Sequence, residues 1–399
     1  MKFNLEDQNK IDMWIFHNDL EDSTVRTYLP ILKRFCELIK LSPVELIAAA
    51  DSEQDKGIKL SDRIINIYFF SFKKQLIKEN KAKNTINLYI NVVKSFYDAF
   101  DIQLPKMKQA RGDISLEKNR GKLISKEELQ RFVNVAAPRE RALIYLMALS
   151  GMSQKEARSL TLKTFFNFAG DAIKKEINSV EDLFEYEEKL SSEILIVDIV
   201  RTKVNYRYIT FIPPEATIQI INYIRERMFG RNEKIRIKNL ASPIFVKKNG
   251  KPADRDIIVT NFRRIGLMAG FKKEKGAYSF WRAHGLRKYF ISTIINEIQH
   301  KDEANFMAGH KISDVDRAYW FLKPHKLKQI YLQALPFLSI DNAKVIDVKS
   351  DDVKRIEELE NFRVDIKEQM LKTQPIFEAL KDNPDIMETL NERMGEIGK

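Results

Sequence analysis

"EILIVDIVRTKVNYRYITFI", residues 193–212, is the stretch on which the fold turns. Two runs rich in Ile, Val and Tyr flank a short "RTKVN", a pattern that predicts a β-hairpin with Lys203 near its turn. It is the one clear strand signal in the chain. Elsewhere the apolar residues recur at helical spacing. In "DSTVRTYLPILKRFCELIKL" (22–41), Val25, Leu29, Leu32, Phe35 and Leu38/Ile39 share one face, with Ser23 or Thr24 as the expected cap. Pro30 inside it predicts either a helix start or a kink. "NKAKNTINLYINVVKSFYDAF" (80–100) repeats the theme through Ile86, Ile90, Val93, Phe96/Tyr97 and Phe100. Both stripes read as core. The expected class is mainly α with a small antiparallel hairpin.

Helical patterns then continue past a change of composition. Residues 1–103 read as one helical domain. "LPKMKQARGDISLEKNRGKLIS" (104–125) has six basic residues against two acids and little periodicity, so 104–124 reads as a basic linker. Ser125 and Glu128 predict a capping box that opens a second domain, 125–338. In it "ERALIYLMALSG" reads as a buried helix ending near Gly151. "EATIQIINYIRERM", "DIIVTNFRRIGLMAG", "HGLRKYFISTIINEI" and "DEANFMAGH" supply further helices. Residues 339–399 are charged, with a partly heptad-like stripe (Val353, Ile356, Leu359, Ile366, Met370) broken by Arg363. They read as a helical tail for protein–protein contact.

Composition narrows the function. No apolar run approaches the ~20 residues that span a membrane, and the N-terminus lacks a signal-peptide core. A cytoplasmic protein without membrane contact is expected. Cys36 is the only cysteine, which excludes an intramolecular disulfide and a cysteine zinc cluster. A net charge of +12 points to a polyanionic partner, with nucleic acid the commonest. The linker cations Lys106, Lys108 and Arg111 and the cluster Arg263, Arg264, Lys272 and Lys273 are candidates to touch phosphates.

Candidate chemistry gathers in the second domain. "WRAHGLRKYF" sets His284 and Arg287 three apart, on the same side of a helix. "GHKISDVDRAYW" (309–320) places His310 after a glycine, read as a helix start, with Tyr319 nine residues on. Arg287 can fork onto two phosphate oxygens. Lys203 can protonate a leaving oxygen, and a histidine can take the phenol proton or hold an oxygen. A tyrosine of pKa ~10 needs such help to attack phosphorus at neutral pH. Tyr289 and Tyr331 lack a preceding Gly-His at that distance. No acidic cluster at metal-ligand spacing accompanies the set, which argues against a two-metal nuclease.

In "HGLRKYF" and "MAGHKISDVDRAYW" the chain resembles the tyrosine recombinase (integrase) family, and the likeness covers roughly residues 10–338. The resemblance implies a core-binding domain and a catalytic domain closing around DNA as a C-shaped clamp. It implies a 3′-phosphotyrosyl link at Tyr319, with Lys203 as general acid, His284 as acid/base helper, and Arg287 and His310 stabilising the pentacoordinate phosphate. No cofactor or metal is implied. The implied partners are double-stranded DNA, four copies of the chain on paired sites, and an accessory directionality factor. One position departs from the family's Gly-x-Arg with Glu three residues later. In "SGMSQKEARSL" Glu156 matches, but Ser153 stands where the arginine belongs. Arg158, five residues on, is the expected substitute. Two alternatives remain: a type IB topoisomerase-like enzyme, and a catalytically impaired DNA-binding relative, for which Ser153 argues.

Overall fold

The computed structural model describes residues 3–106, 122–201, 205–272 and 278–341. The chain divides into two compact units, Met1–Gly121 and Lys122–Lys399. Among the described residues no helix is long and apolar enough to cross a membrane.

The described residues of the first unit form helices α1 (Leu5–His17), α2 (Asp22–Ile39), α3 (Pro43–Asp55), α4 (Ile65–Lys78) and α5 (Lys83–Asp98). Asn4 with Asp7 and Ser42 with Glu45 form reciprocal capping boxes that start α1 and α3. The α2 helix corrects two expectations. Neither Ser23 nor Thr24 caps it; it begins at Asp22 behind Glu21, which makes no side-chain cap bond. Of the two readings of Pro30, the helix start is excluded, because the helix runs through the proline. An interior proline costs about 3 kcal/mol. Ile31, Leu32 and Phe35 just beyond it are buried, and each contributes about 1.5–3 kcal/mol, so burial wins. Phe35 meets Phe72 edge-on at 5.2 Å, and Trp14 meets Phe96 at 5.6 Å. These rings form the unit's core.

The second unit opens with α6 (Lys126–Asn134), capped as expected by the Ser125–Glu128 box. Then come α7 (Pro138–Ser150), α8 (Gln154–Ser159), α9 (Leu162–Ile173), α10 (Val180–Glu185) and α11 (Glu187–Leu190). Strands β1 (Leu195–Arg201) and β2 (Tyr206–Ile212) form an antiparallel pair, with Leu195 opposite Ile212 and Arg201 opposite Tyr206. Lys203 falls between them, outside the described residues. Helices α12 (Pro214–Phe229), α13 (Arg255–Met268), α14 (Ala283–Ile298), α15 (Lys301–Met307), α16 (Asp314–Leu322) and α17 (Pro324–Leu338) follow among the described residues.

Helix α7 is its centre. Every residue from Ala142 to Ser150 is buried, as a helix apolar on all sides must be. It packs against α6, α8, α12, α13, α14 and β2. Its last carbonyls find side-chain donors elsewhere: Tyr331 donates to Leu149 O (2.8 Å) and Thr210 to Ser150 O (2.6 Å). Beyond α17, Glu215 accepts the backbone N–H of Ile340 at 3.1 Å and that of Asp341. The expected tail from 342 onward lies outside the described residues.

Candidate active site

Four elements of the second unit converge. Gly151, just past α7, adopts φ +67, a conformation that costs an L-residue with a side chain about 1–2 kcal/mol. A Cβ there would also run into the Phe290 ring. The turn presents the Gly151 carbonyl to Arg287 Nη1 at 2.9 Å. It also starts α8 with a Ser153–Glu156 capping box, in which Ser153 N donates to Glu156 Oε2 at 2.7 Å. Glu156 is buried and shared. Tyr208 of β2 donates to its Oε2 at 3.0 Å, Arg287 Nη1 lies 3.9 Å from the same oxygen, and Arg201 Nε lies 3.6 Å from Oε1.

Arg287 is 4% exposed. Its Nη2 is buried and, among the described residues, has no hydrogen-bond partner. A buried donor left unpaired costs about 1–3 kcal/mol. Burial and the nearby Arg201 cation lower the Arg287 pKa, while Tyr208 and Glu156 oppose them. An arginine stays charged through such shifts.

Gly309 ends α15 at φ +67, with the Tyr208 ring 2.7 Å from where its Cβ would stand. Its carbonyl accepts Arg201 Nη1 at 2.9 Å. His310 does not open a helix, contrary to expectation. Glycine in the left-handed region stops α15, and α16 starts only at Asp314, behind the Ser313 cap. In the intervening segment His310 Nδ1 meets Asn305 Oδ1 at 3.0 Å. An amide oxygen can only accept, so Nδ1 carries the proton and Nε2 presents a lone pair. Burial, then the cations Arg287 and Arg201, push the His310 pKa down to about 4. His284, in the first turn of α14, is shifted the same way, first by desolvation and then by Arg282, Lys288 and Arg287. Arg287, His284, His310, Glu156 and Arg201 therefore form one cluster, with both imidazoles favouring the neutral form.

Tyr319 lies on α16, none of whose described side chains is buried. The residue is 39% exposed. Its hydroxyl accepts from Lys326 Nζ at 3.4 Å, and Lys323 Nζ sits 4.8 Å from the ring centre. These lysines, Lys326 first, lower its pKa. The competing phenols are held differently. Tyr331 donates to Leu149 O, Tyr289 donates to Leu338 O at 3.1 Å, and burial raises the pKa of each.

The structure does not bring Arg158 to the cluster. Its Nη1 donates to Ala253 O at 3.4 Å, and its charge acts on Asp254. Lys106, Arg263, Arg264 and Lys272 are exposed. Lys203, Lys108, Arg111 and Lys273 lie outside the described residues. Sequence reasoning missed Arg201, Asn305, Lys323 and Lys326. Arg201 carried one usable signal, a cation at the end of a strand next to the expected turn. Lys323 and Lys326 stand four and seven after Tyr319, but the helix breaks at Lys323, so no spacing within one helix announced them.

No family model matches the chain, and no curated protein matches it. Solved structures do. A lambda integrase fragment (residues 75–356), crystallised as a dimer bound to a COC' core site, is 12% identical over 79% of this chain and 94% of that one, with a TM-score of 0.50. A lambda integrase tetramer bound to a Holliday junction is 13% identical, covering 78% and 76%, with a TM-score of 0.48. The XerH site-specific recombinase bound to palindromic difH substrate is 15% identical, covering 80% and 93%, with a TM-score of 0.47. The chain has the tyrosine recombinase fold. Within that fold, the likeness at TM-score 0.50 is to the lambda integrase fragment.

Proposed function

We propose that the chain is a site-specific DNA recombinase that cleaves and rejoins duplex DNA through a 3′-phosphotyrosyl intermediate at Tyr319. The observation that carries this reading is Arg287: a buried cation with an unpartnered Nη2, beside neutral His310, within this fold. A phosphate oxygen is an acceptor that completes such a donor, and a guanidinium binds it with charge-assisted hydrogen bonds.

The Tyr319 oxygen attacks the scissile phosphorus, and the bond to the 5′-oxygen breaks. Lys203 gives that oxygen its proton. The phenol gives up its own proton to His284 or to water, helped by the two lysines that favour its anion. Arg287 holds the non-bridging oxygens as charge builds on them, joined by His310 once its Nε2 has taken up a proton. The phosphodiester bond energy stays in the tyrosyl link, so a second 5′-hydroxyl reverses the step on another strand. Duplex DNA and further copies of the chain are the partners that this requires.

The test uses a nicked suicide duplex, chosen by selecting a random-sequence pool on the full-length chain. Tyr319→Phe removes one oxygen and little volume. Binding should persist while covalent adducts vanish. Adducts that survive in the Phe variant would reject Tyr319 as nucleophile. Adducts from the wild type without exchange between paired sites would point to a topoisomerase-like enzyme.

A further inference from the structure

We propose that Arg201, at the end of β1, supplies the phosphate-binding guanidinium that Ser153 cannot. The inference rests on the recombinase reading and assigns a specific residue within it.

Three observations on this chain converge on Arg201. The first is position. Ser153 and Arg201 approach the same carboxylate from different elements: Ser153 N is 2.7 Å from Glu156 Oε2, and Arg201 Nε is 3.6 Å from Oε1. An arginine at 153 would begin its reach beside Glu156; Arg201 arrives beside Glu156 from the hairpin. The second is orientation. Arg201 Nη1 is tied to the Gly309 carbonyl at 2.9 Å, one residue before His310. A long side chain held at two atoms loses little further freedom when it binds a ligand. Its side chain is still 24% exposed, whereas that of Arg287 is 5% exposed. The third is charge. Glu156 sits between two guanidiniums, so the trio keeps one net positive charge. The neutral imidazoles add none, and Arg201 acts on both Arg287 and His310. Without Arg201, the Glu156 carboxylate would cancel Arg287, leaving no net charge to meet a phosphate that gains negative charge in the transition state. The alternative cation, Arg158, is turned to Ala253 O and Asp254.

The test compares Arg201→Gln and Arg158→Ala in the full-length chain. Glutamine keeps a polar amide at the level of Arg Nε but carries no charge. On the selected suicide duplex, Arg201→Gln should lose about 10²–10³ in adduct rate, with duplex affinity and melting temperature close to wild type. Arg158→Ala should keep the rate. A second duplex carries a methylphosphonate at the scissile position, which removes one non-bridging charge. There the Arg201→Gln deficit should shrink markedly, because the missing cation no longer faces a full charge; a packing defect would give the same deficit on both duplexes. Cleavage by Arg201→Gln within a few-fold of wild type, an undiminished deficit on the methylphosphonate, or a loss carried by Arg158→Ala would each overturn the proposal. If the wild type forms no adduct on any duplex, the recombinase reading fails by itself. Inorganic phosphate then decides the arginine. Thermal stabilisation of the chain by phosphate should disappear in Arg201→Gln and survive in Arg158→Ala, and stabilisation retained by Arg201→Gln sinks the assignment.

Discussion

Lys326 and Lys323 bracket the Tyr319 phenol and favour its anion. Replacing Lys326 by Gln removes the first of these influences, so the Tyr319 pKa should rise. The rising limb of adduct formation, which follows loss of the phenol proton, should move to higher pH, and the phenol titration followed by ultraviolet difference spectra should move with it. Coincident titrations of the two proteins would show that Lys326 does not matter. His310 makes a prediction of opposite kind. Its folded pKa is about 4, against ~6.5 unfolded. Between those values the unfolded chain binds a proton that the folded chain lacks, so His310 lowers stability as pH falls through that window. His310→Gln should flatten the dependence of unfolding free energy on pH relative to wild type, read from urea titrations. Parallel curves for the two proteins would contradict the assigned shift. At this scale the sequence singled out His284, Arg287, His310 and Tyr319 as candidates because each pair sits within one local segment. Arg201 was hidden because its partner, Gly309, is 108 residues away, and no local spacing reports such a meeting.

Two turns depend on glycine at φ +67, and both position the candidate chemistry. Gly309→Ala costs about 1–2 kcal/mol in backbone alone, and its methyl would press the Tyr208 ring, which holds Glu156. In a unit of this size each kcal/mol lowers the melting temperature by about 2–4 °C. The variant should melt several degrees lower and lose adduct formation together; a variant that melts and cleaves as wild type would show the turn to be slack. Elements with their own local grammar were legible. The Ser125–Glu128 box, the buried α7 and the hairpin all follow from cap chemistry, apolar content and β-branched runs. What failed was local grammar overruled by packing. A start of α2 at Pro30 is one of two readings, and the buried side chains beyond the proline keep the helix continuous through it. The Gly309–His310 pair signals a helix stop, not a start, a distinction that needs the sign of φ.

Charge is the property that belongs to the molecule as a whole. The chain carries +12, and Lys106, Arg263, Arg264 and Lys272 stand exposed on its surface. If they meet a duplex, log K against log salt should fall with a slope of about −0.9 for each phosphate neutralised. Neutralising Lys106, Lys108 and Arg111 together should weaken all sequences alike and flatten the slope, and a flat profile in the wild type would remove phosphate contact as the basis of binding. A chain truncated after Asp341 asks whether the remainder serves contact between copies. We expect it to bind and cleave single sites but to recombine paired sites poorly; undiminished recombination would assign the tail another role.

Helix α7 is buried from Ala142 to Ser150, its last carbonyls are taken by Tyr331 and Thr210, and that of Gly151 just past it by Arg287. Helix α16 has no buried side chain among those described. The two therefore keep different clocks. Amides of α7 should exchange with deuterium only when the whole unit unfolds, while those of α16 exchange through brief local openings. The proposed reaction then has a slow-ticking half, Arg287 with its neighbours, which stands assembled beforehand. It also has a fast-ticking half, which carries the proposed nucleophile. Its waiting time is set by how often Tyr319 arrives, and anything that grips α16 changes the rate without touching a single atom of the cradle.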